Sequence, residues 1–232
     1  MLRVAVARVS DSSPGDEAAP GWFGDEERRR WEGLRPGVRR AFAASRVLLR
    51  ELLQAATGVP AAAWNVSAQA GAAPVARAPA HATGAIHVSL SHRLDWVAAA
   101  VSDAPVGVDV ECGRAPRSEP GERAALMLSP AEFAAWQRLS PSGQEAALLT
   151  RWTVKEAWFK ASPPGSAPWD FRRLCARACA PGEAGANVRA WTSAPVHLAL
   201  CSRDDRALAA ARCDLPAAAG SSWHVRRVDS SD

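Results

Sequence analysis

Trp96-Val-Ala-Ala-Ala-Val-Ser-Asp-Ala-Pro-Val-Gly-Val-Asp-Val-Glu111 reads as strand, turn, strand. Trp96 to Val101 is a strand candidate. Ser102-Asp-Ala-Pro105 is turn chemistry. Val106 to Glu111 is a further strand and a candidate hairpin partner of the one before it. Just upstream, Ile86-His-Val-Ser-Leu-Ser-His92 supplies another strand.

Outward from this block the pattern changes to helix. From Val38 to Ala56, the residues Val38, Phe42, Ser45, Leu49, Leu52, Leu53 and Ala56 fall on one side at about 100° per residue, and Gly58 and Pro60 follow as stop signals. Arg39, Arg46 and Arg50 form a narrow basic stripe beside that face, which suits either a solvated flank or an anion site at the edge of a cleft. The N-terminus, Met-Leu-Arg-Val-Ala-Val-Ala-Arg-Val9, is interrupted by Arg3 and Arg8. It is a poor signal peptide and a fair first strand. Residues 10–24 read as a loop, and 71–84 as an Ala/Pro-rich connection. Downstream of a polar stretch at 113–121, Ser129-Pro-Ala-Glu132 has a capping residue, Pro at the first helical position and Glu three on. A longer helix is expected over 144–161, stopped by Pro163-Pro-Gly165, and short strands near 188–191, 196–201, 207–212 and 223–228. Strands and helices are mixed without regular alternation, so the expected class is α+β.

The 232 residues suffice for a sizeable core, and 48% apolar with 22% charged residues is ordinary globular composition. No apolar run approaches the roughly 20 residues of a membrane-spanning helix. Cys112, Cys175, Cys179, Cys201 and Cys213 are odd in number and irregular in spacing, which favours free thiols in a reducing cytoplasm over a disulfide framework. The formal charge of +4 suits an anionic ligand or acidic partner, and equally nucleic acid. Of 28 basic residues only Lys155 and Lys160 are lysines.

Chemistry concentrates in two places. Asp109 and Glu111 are i and i+2 on a strand, so both carboxylates share a face among Val and Gly. Like charges so placed repel unless a cation joins them, and hard oxygen ligands favour Mg²⁺, Mn²⁺ or Ca²⁺. The competing explanation is an exposed strand face. In Trp152-Thr-Val-Lys-Glu-Ala-Trp-Phe-Lys-Ala161, Glu156 and Lys160 are i and i+4 and could form a plain helix ion pair. Yet the chain otherwise uses arginine, so its two lysines mark positions where arginine does not serve. Lysine is a compact point charge suited to a phosphate oxygen and to proton transfer. His92 can bind phosphate or take a proton, while Glu132 is accounted for by its capping box alone.

Together these segments resemble the 4'-phosphopantetheinyl transferase superfamily, of the longer surfactin-synthetase-activating type. Val88-Ser-Leu-Ser-His92 resembles its strand ending in Ser-His. Gly107-Val-Asp-Val-Glu111 is similar to its Gly-(Ile/Val)-Asp-(Ile/Val)-Glu motif, and Trp152 to Lys160 to its Trp-(Ser/Thr)-x-Lys-Glu-(Ser/Ala)-x-x-Lys motif. The resemblance implies two similar α+β halves in one chain, about 1–105 and 106–232, with coenzyme A in the cleft between them. It implies Asp109, Glu111 and Glu156 as ligands of Mg²⁺ or Mn²⁺. It further implies Lys155 and Lys160 beside the phosphates, with Ser91, His92, Arg46 and Arg50 as phosphate contacts. Glu132 corresponds to a glutamate proposed as base in some members. Coenzyme A is then the substrate and an apo carrier protein the partner of a cytoplasmic monomer, with neither nucleic acid nor membrane involved. Two departures stand out. Ala73 occupies the place of a coenzyme A-contacting lysine, and Ser162-Pro-Pro-Gly165 replaces a Gly-rich turn. The rival readings are a metal-dependent nuclease and a non-enzymatic nucleic-acid-binding module.

Overall fold

The computed structural model describes residues 1–9, 18–78, 84–113, 119–166 and 170–228. Parts of the loops expected at 10–24, 71–84 and 113–121 therefore lie outside the described residues. In chain order the elements are β1 (Leu2–Arg8), α1 (Asp25–Glu32), α2 (Pro36–Thr57), β2 (Asn65–Val66), β3 (Ala76–Arg77), β4 (His87–Arg93), β5 (Trp96–Ser102) and β6 (Val106–Cys112). They continue with α3 (Pro120–Met127), α4 (Pro130–Gln137), α5 (Pro141–Ala161), β7 (Leu174–Ala178), β8 (Val188–Ser193), β9 (Val196–Ser202), α6 (Asp205–Ala210) and β10 (Ala219–Arg227). This is an α+β fold with two main sheets. One is antiparallel, in order β1-β5-β4, and the other runs β6-β9-β8-β10-β7.

The strand that follows the turn at 102–105 does not pair with its predecessor. β5 is already flanked by β1 and β4, so β6 crosses to the second sheet and pairs with β9, with Asp109 opposite Ala199 and Glu111 opposite His197. The expected β5–β6 hairpin is thus corrected to β4–β5, whose turn places Leu94 at φ 52°. Each sheet has one long helix. On α2, Leu49 and Leu53 are fully buried against Val88, Ala99 and Val101, each worth about 1.5–3 kcal/mol over exposure. Gly58 ends α2 at φ 75°, a left-handed cap that glycine adopts without strain. On α5, Val154, Ala157 and Ala161 pack on Leu174, Ala190, Ala199 and Cys201.

Period-two alternation then divides β6 cleanly. Val106, Val108 and Val110 join Val4, Ala98, Ala100, Leu198 and Leu200 in a core shared by both sheets, and this turns Gly107, Asp109 and Glu111 toward α5. The segment 207–212, expected as a strand, is instead mostly α6. Asp204 caps it through Ala207 N, and its alanines favour helix. The five cysteines are free thiols. Among the described residues no helix is long and apolar enough to cross a membrane.

Candidate active site

The two sheets meet where β4 runs beside β6, and side chains rather than a backbone ladder join them. Ser89 Oγ accepts from Val108 N at 3.0 Å, and Ser91 Oγ accepts from Val110 N at 3.2 Å. Ser91 Oγ also donates to Asp109 Oδ1 at 2.8 Å. Two rungs further along β4, Arg93 Nε forms an ion pair with Glu111 Oε2 at 3.0 Å.

From the other side comes α5. Gly107 explains how close it lies: a Cβ there would meet Ala157 O at 2.0 Å and Ala161 N at 2.6 Å. Only a residue without a side chain lets the helix backbone rest on the strand. That contact brings Lys160 within reach of the acidic strand. Its Nζ donates to Asp109 Oδ1 at 2.7 Å and to Val108 O at 3.2 Å. The ammonium therefore crosses to β6, and no helix ion pair with Glu156 forms. Trp152 Nε1 donates to Glu111 Oε1 at 3.2 Å.

Electrostatics tie the cluster together. Glu156 is pushed up to about 7, first by burial and then by the neighbouring charges of Asp109 and Glu111, against the pull of Lys160. Glu111 is raised by burial and by Asp109. Protein crowded around the ring of His92, with Lys160 and Arg93 beside it, lowers that imidazole below its usual range, although the residue is accessible at the surface. Asp109 is buried, and its Oδ2 has no hydrogen-bond partner among the described residues. Among the described residues no three His, Cys, Asp or Glu side chains stand at metal-ligand spacing. Lys160 and Arg93 occupy one oxygen each of Asp109 and Glu111. The donor set nevertheless fits a hard divalent cation. It is all carboxylate, the charge of Asp109 raises both Glu111 and Glu156, and the orphaned Asp109 Oδ2 is a buried acceptor that lacks a donor.

Four residues expected at the phosphates or the chemistry sit elsewhere and do other work. Lys155 is fully buried, and its three ammonium protons meet three acceptors: Glu132 Oε2 at 2.6 Å, Met127 O at 2.9 Å and Phe171 O at 3.0 Å. Glu132 is equally committed. Its Oε2 also accepts from Ser129 N at 2.8 Å, and its Oε1 from Ala176 N at 2.8 Å. The pair thus pins the α3–α4 junction and β7 to α5. Arg50 forms a forked pair with Glu27 at 2.9 and 2.6 Å, and the buried Arg46 lies 3.9 Å from the same carboxylate while donating to Ser67 O. Burial lowers Arg46 to about 10. Arg39 caps the end of α1 through Leu34 O and Glu32 O. The basic stripe of α2 is therefore the seat of α1, with Glu27 as its buried counter-charge. Ala73 is exposed in the connection between β2 and β3.

The sequence reading missed Arg93, Trp152 and Ser89. Counting by twos from Ser91 would have found Ser89 and Arg93, because alternate residues share a strand face.

Residues 105–211 match the family model described as the 4'-phosphopantetheinyl transferase superfamily. The 4'-phosphopantetheinyl transferase psf-1 of Bacillus pumilus is 30% identical over 119 residues, covering 51% of this chain and 48% of that protein. A 4'-phosphopantetheinyl transferase of Bacillus subtilis is 31% identical over 88 residues, 37% of either chain. The chain thus spans about half or less of the curated relatives it matches. The matched segment holds β6, α5, Asp109, Glu111, Glu156 and both lysines, and it is in this segment that the chain is similar to the 4'-phosphopantetheinyl transferase superfamily.

Proposed function

We propose that this chain moves the 4'-phosphopantetheine arm of coenzyme A onto a serine of an apo acyl or peptidyl carrier protein, releasing adenosine 3',5'-bisphosphate. We assign it to the surfactin-synthetase-activating type, as a monomer of two similar halves, 1–105 and 106–232, with the substrate between them. The observation that carries the reading is Lys160 on Asp109 Oδ1, beside the unpartnered Asp109 Oδ2, where the two sheets meet. A cation and an unsatisfied carboxylate oxygen side by side are what a metal-bound pyrophosphate would use. The similarity to two Bacillus 4'-phosphopantetheinyl transferases supports the same reaction.

Asp109, Glu111 and Glu156 would hold Mg²⁺, with Mn²⁺ as the alternative. When bound, the cation would neutralise charge on the pyrophosphate oxygens. Ser91 fixes the rotamer of Asp109, and Trp152 that of Glu111. Lys160 donates to the oxygen that departs with the adenosine bisphosphate, where charge develops as the bond breaks. The serine oxygen bonds to the phosphorus bearing pantetheine, and the bond from that phosphorus to the bridging oxygen breaks. Glu132 has its oxygens filled by three donors, so it is withdrawn as the proton acceptor. His92 is accessible and, with its pKa lowered, neutral at pH 7, so it takes the serine proton. Lys155, Arg46 and Arg50 are likewise withdrawn from the phosphates. We place the protein in the cytoplasm, with a carrier protein as its macromolecular partner.

Incubation of apo carrier proteins with coenzyme A and Mg²⁺, followed by intact mass, tests the reaction. The expected result is a gain of one phosphopantetheine, lost when the carrier serine is replaced by alanine. No gain on carriers of fatty-acid, polyketide and nonribosomal-peptide type, or cleavage of plasmid DNA under the same conditions, would overturn it.

A further inference from the structure

Arg93 has no part in the mechanism above, yet it stands on the acidic pair. Along β4, Ser89 and Ser91 are buried and committed to β6. The next residue on that face, Arg93, differs. Its side chain is 50% exposed against 15% for Glu111, and it meets the carboxylate as an ion pair at Nε. The two terminal nitrogens, which make guanidinium a two-pronged clamp for phosphate, have no acceptor among the described residues. Lys160 approaches Asp109 from α5, and both basic groups act on His92. Asp109 and Glu111 are thus neutralised by one cation from α5 and one from β4. A divalent cation taking both carboxylates would release two positive charges at the same spot. That is the complement of a pyrophosphate carrying about two negative charges.

We infer that Arg93 is a handover residue. It holds Glu111 in the cation-free protein and passes to a phosphate oxygen of the pyrophosphate when a divalent cation takes Glu111. The identity of that pyrophosphate as coenzyme A's rests on the function proposed above; the handover itself does not require turnover. The contrasting role is a fixed strap between the sheets, which would hold Glu111 in place with or without ligand.

Two titrations on the whole chain separate these roles, with Arg93→Gln and Arg93→Lys beside the wild type. Mn²⁺ alone is titrated by the loss of its free spin-resonance signal. Inorganic pyrophosphate is then titrated calorimetrically at saturating Mn²⁺. Handover predicts that Arg93→Gln tightens Mn²⁺ by about two- to fivefold, the worth of one partly exposed ion pair. It predicts pyrophosphate weakened by about tenfold or more, the loss of charge-assisted hydrogen bonds. Arg93→Lys keeps the charge but loses the fork, so Mn²⁺ binding stays near wild type while pyrophosphate still weakens. Mn²⁺ binding that is unchanged or weaker in Arg93→Gln, or pyrophosphate binding that is unchanged, overturns the inference. Should Arg93→Gln not fold, Arg93→Lys decides alone: pyrophosphate bound as tightly as by wild type refutes the handover. No carrier protein is present in either titration, so failure here leaves the transfer reaction standing. Failure of the mass experiment, in turn, leaves these affinities readable.

Discussion

Replacing Glu132 with glutamine separates a proton acceptor from a structural counter-charge. Locally the change is mild, because glutamine also completes a capping box with Ser129. The rest of the site makes it severe. Glu132 accepts from Ser129 N and Lys155 Nζ on one oxygen and from Ala176 N on the other. An amide has one oxygen and one NH₂ group, so whichever way it turns, an N–H faces an N–H. The fully buried Lys155 ammonium also loses its only carboxylate partner among the described residues. Breaking a buried pair from one side costs about 3–5 kcal/mol. For a chain of this size that is a fall in Tm of about 6–20 °C. The assay is thermal unfolding at pH 7, followed by circular dichroism or calorimetry. A Tm within about 2 °C of wild type, with transfer abolished, would refute the reasoning and return Glu132 to the role of base.

The double variant Glu132→Leu with Lys155→Met sharpens the test. Apolar replacement of both partners removes the stranded charge and should recover part of the lost stability. Recovery stays incomplete, because Ser129 N, Ala176 N, Met127 O and Phe171 O all lose a partner.

Three further changes probe the junction of β6 and α5. Gly107→Ala puts a methyl group into the α5 backbone and should lower Tm and weaken Mn²⁺ binding, as α5 carries Glu156 away from Asp109 and Glu111; wild-type values for both would deny the close contact its role. Lys160→Arg should lose most of kcat while Tm holds, because the larger planar group cannot sit on both Asp109 Oδ1 and Val108 O; near-wild-type kcat would remove Lys160 from the chemistry. Glu156 has a folded pKa of about 7, above the 4.5 of the unfolded chain. Its protonated form therefore favours the folded state, a contribution present below 4.5 and lost as pH rises through about 7. Glu156→Gln should flatten that decline in a pH series of melting curves, and an unchanged slope would place the titration elsewhere.

How much of this was legible in the sequence depends on how far each residue's partner lies along the chain. The β6 face was readable, because alternation alone sets Asp109 and Glu111 side by side. The apolar face of α2 was readable for the same kind of reason. Partners distant in sequence were not. Glu27 precedes Arg50 by 23 residues, in the charged run from Asp25 to Arg30, so the sequence left the basic stripe open between a solvated flank and an anion site. The capping box of Glu132 was correct and complete as a local explanation, which hid its pairing with Lys155.

The two lysines show the limit most clearly. Their rarity did signal special sites, but rarity was read as a shared purpose. Five residues on a helix turn about 500°, so Lys155 and Lys160 point some 140° apart, whereas Glu156 and Lys160 differ by only about 40°. Helical geometry alone therefore forbids a common role. Each lysine answers a different demand that arginine would meet badly. Lys155 presents three protons to three oxygens in a cavity closed to solvent, where five guanidinium donors would leave two unsatisfied. Lys160 presents a point charge to one carboxylate and one carbonyl at the edge of the acidic cluster. One residue type in one motif thus divides into a buried pin for α5 and a cation at the site that α5 builds. The pin bears on the site as well, since Glu156, the third carboxylate of the cluster, is the residue next to Lys155.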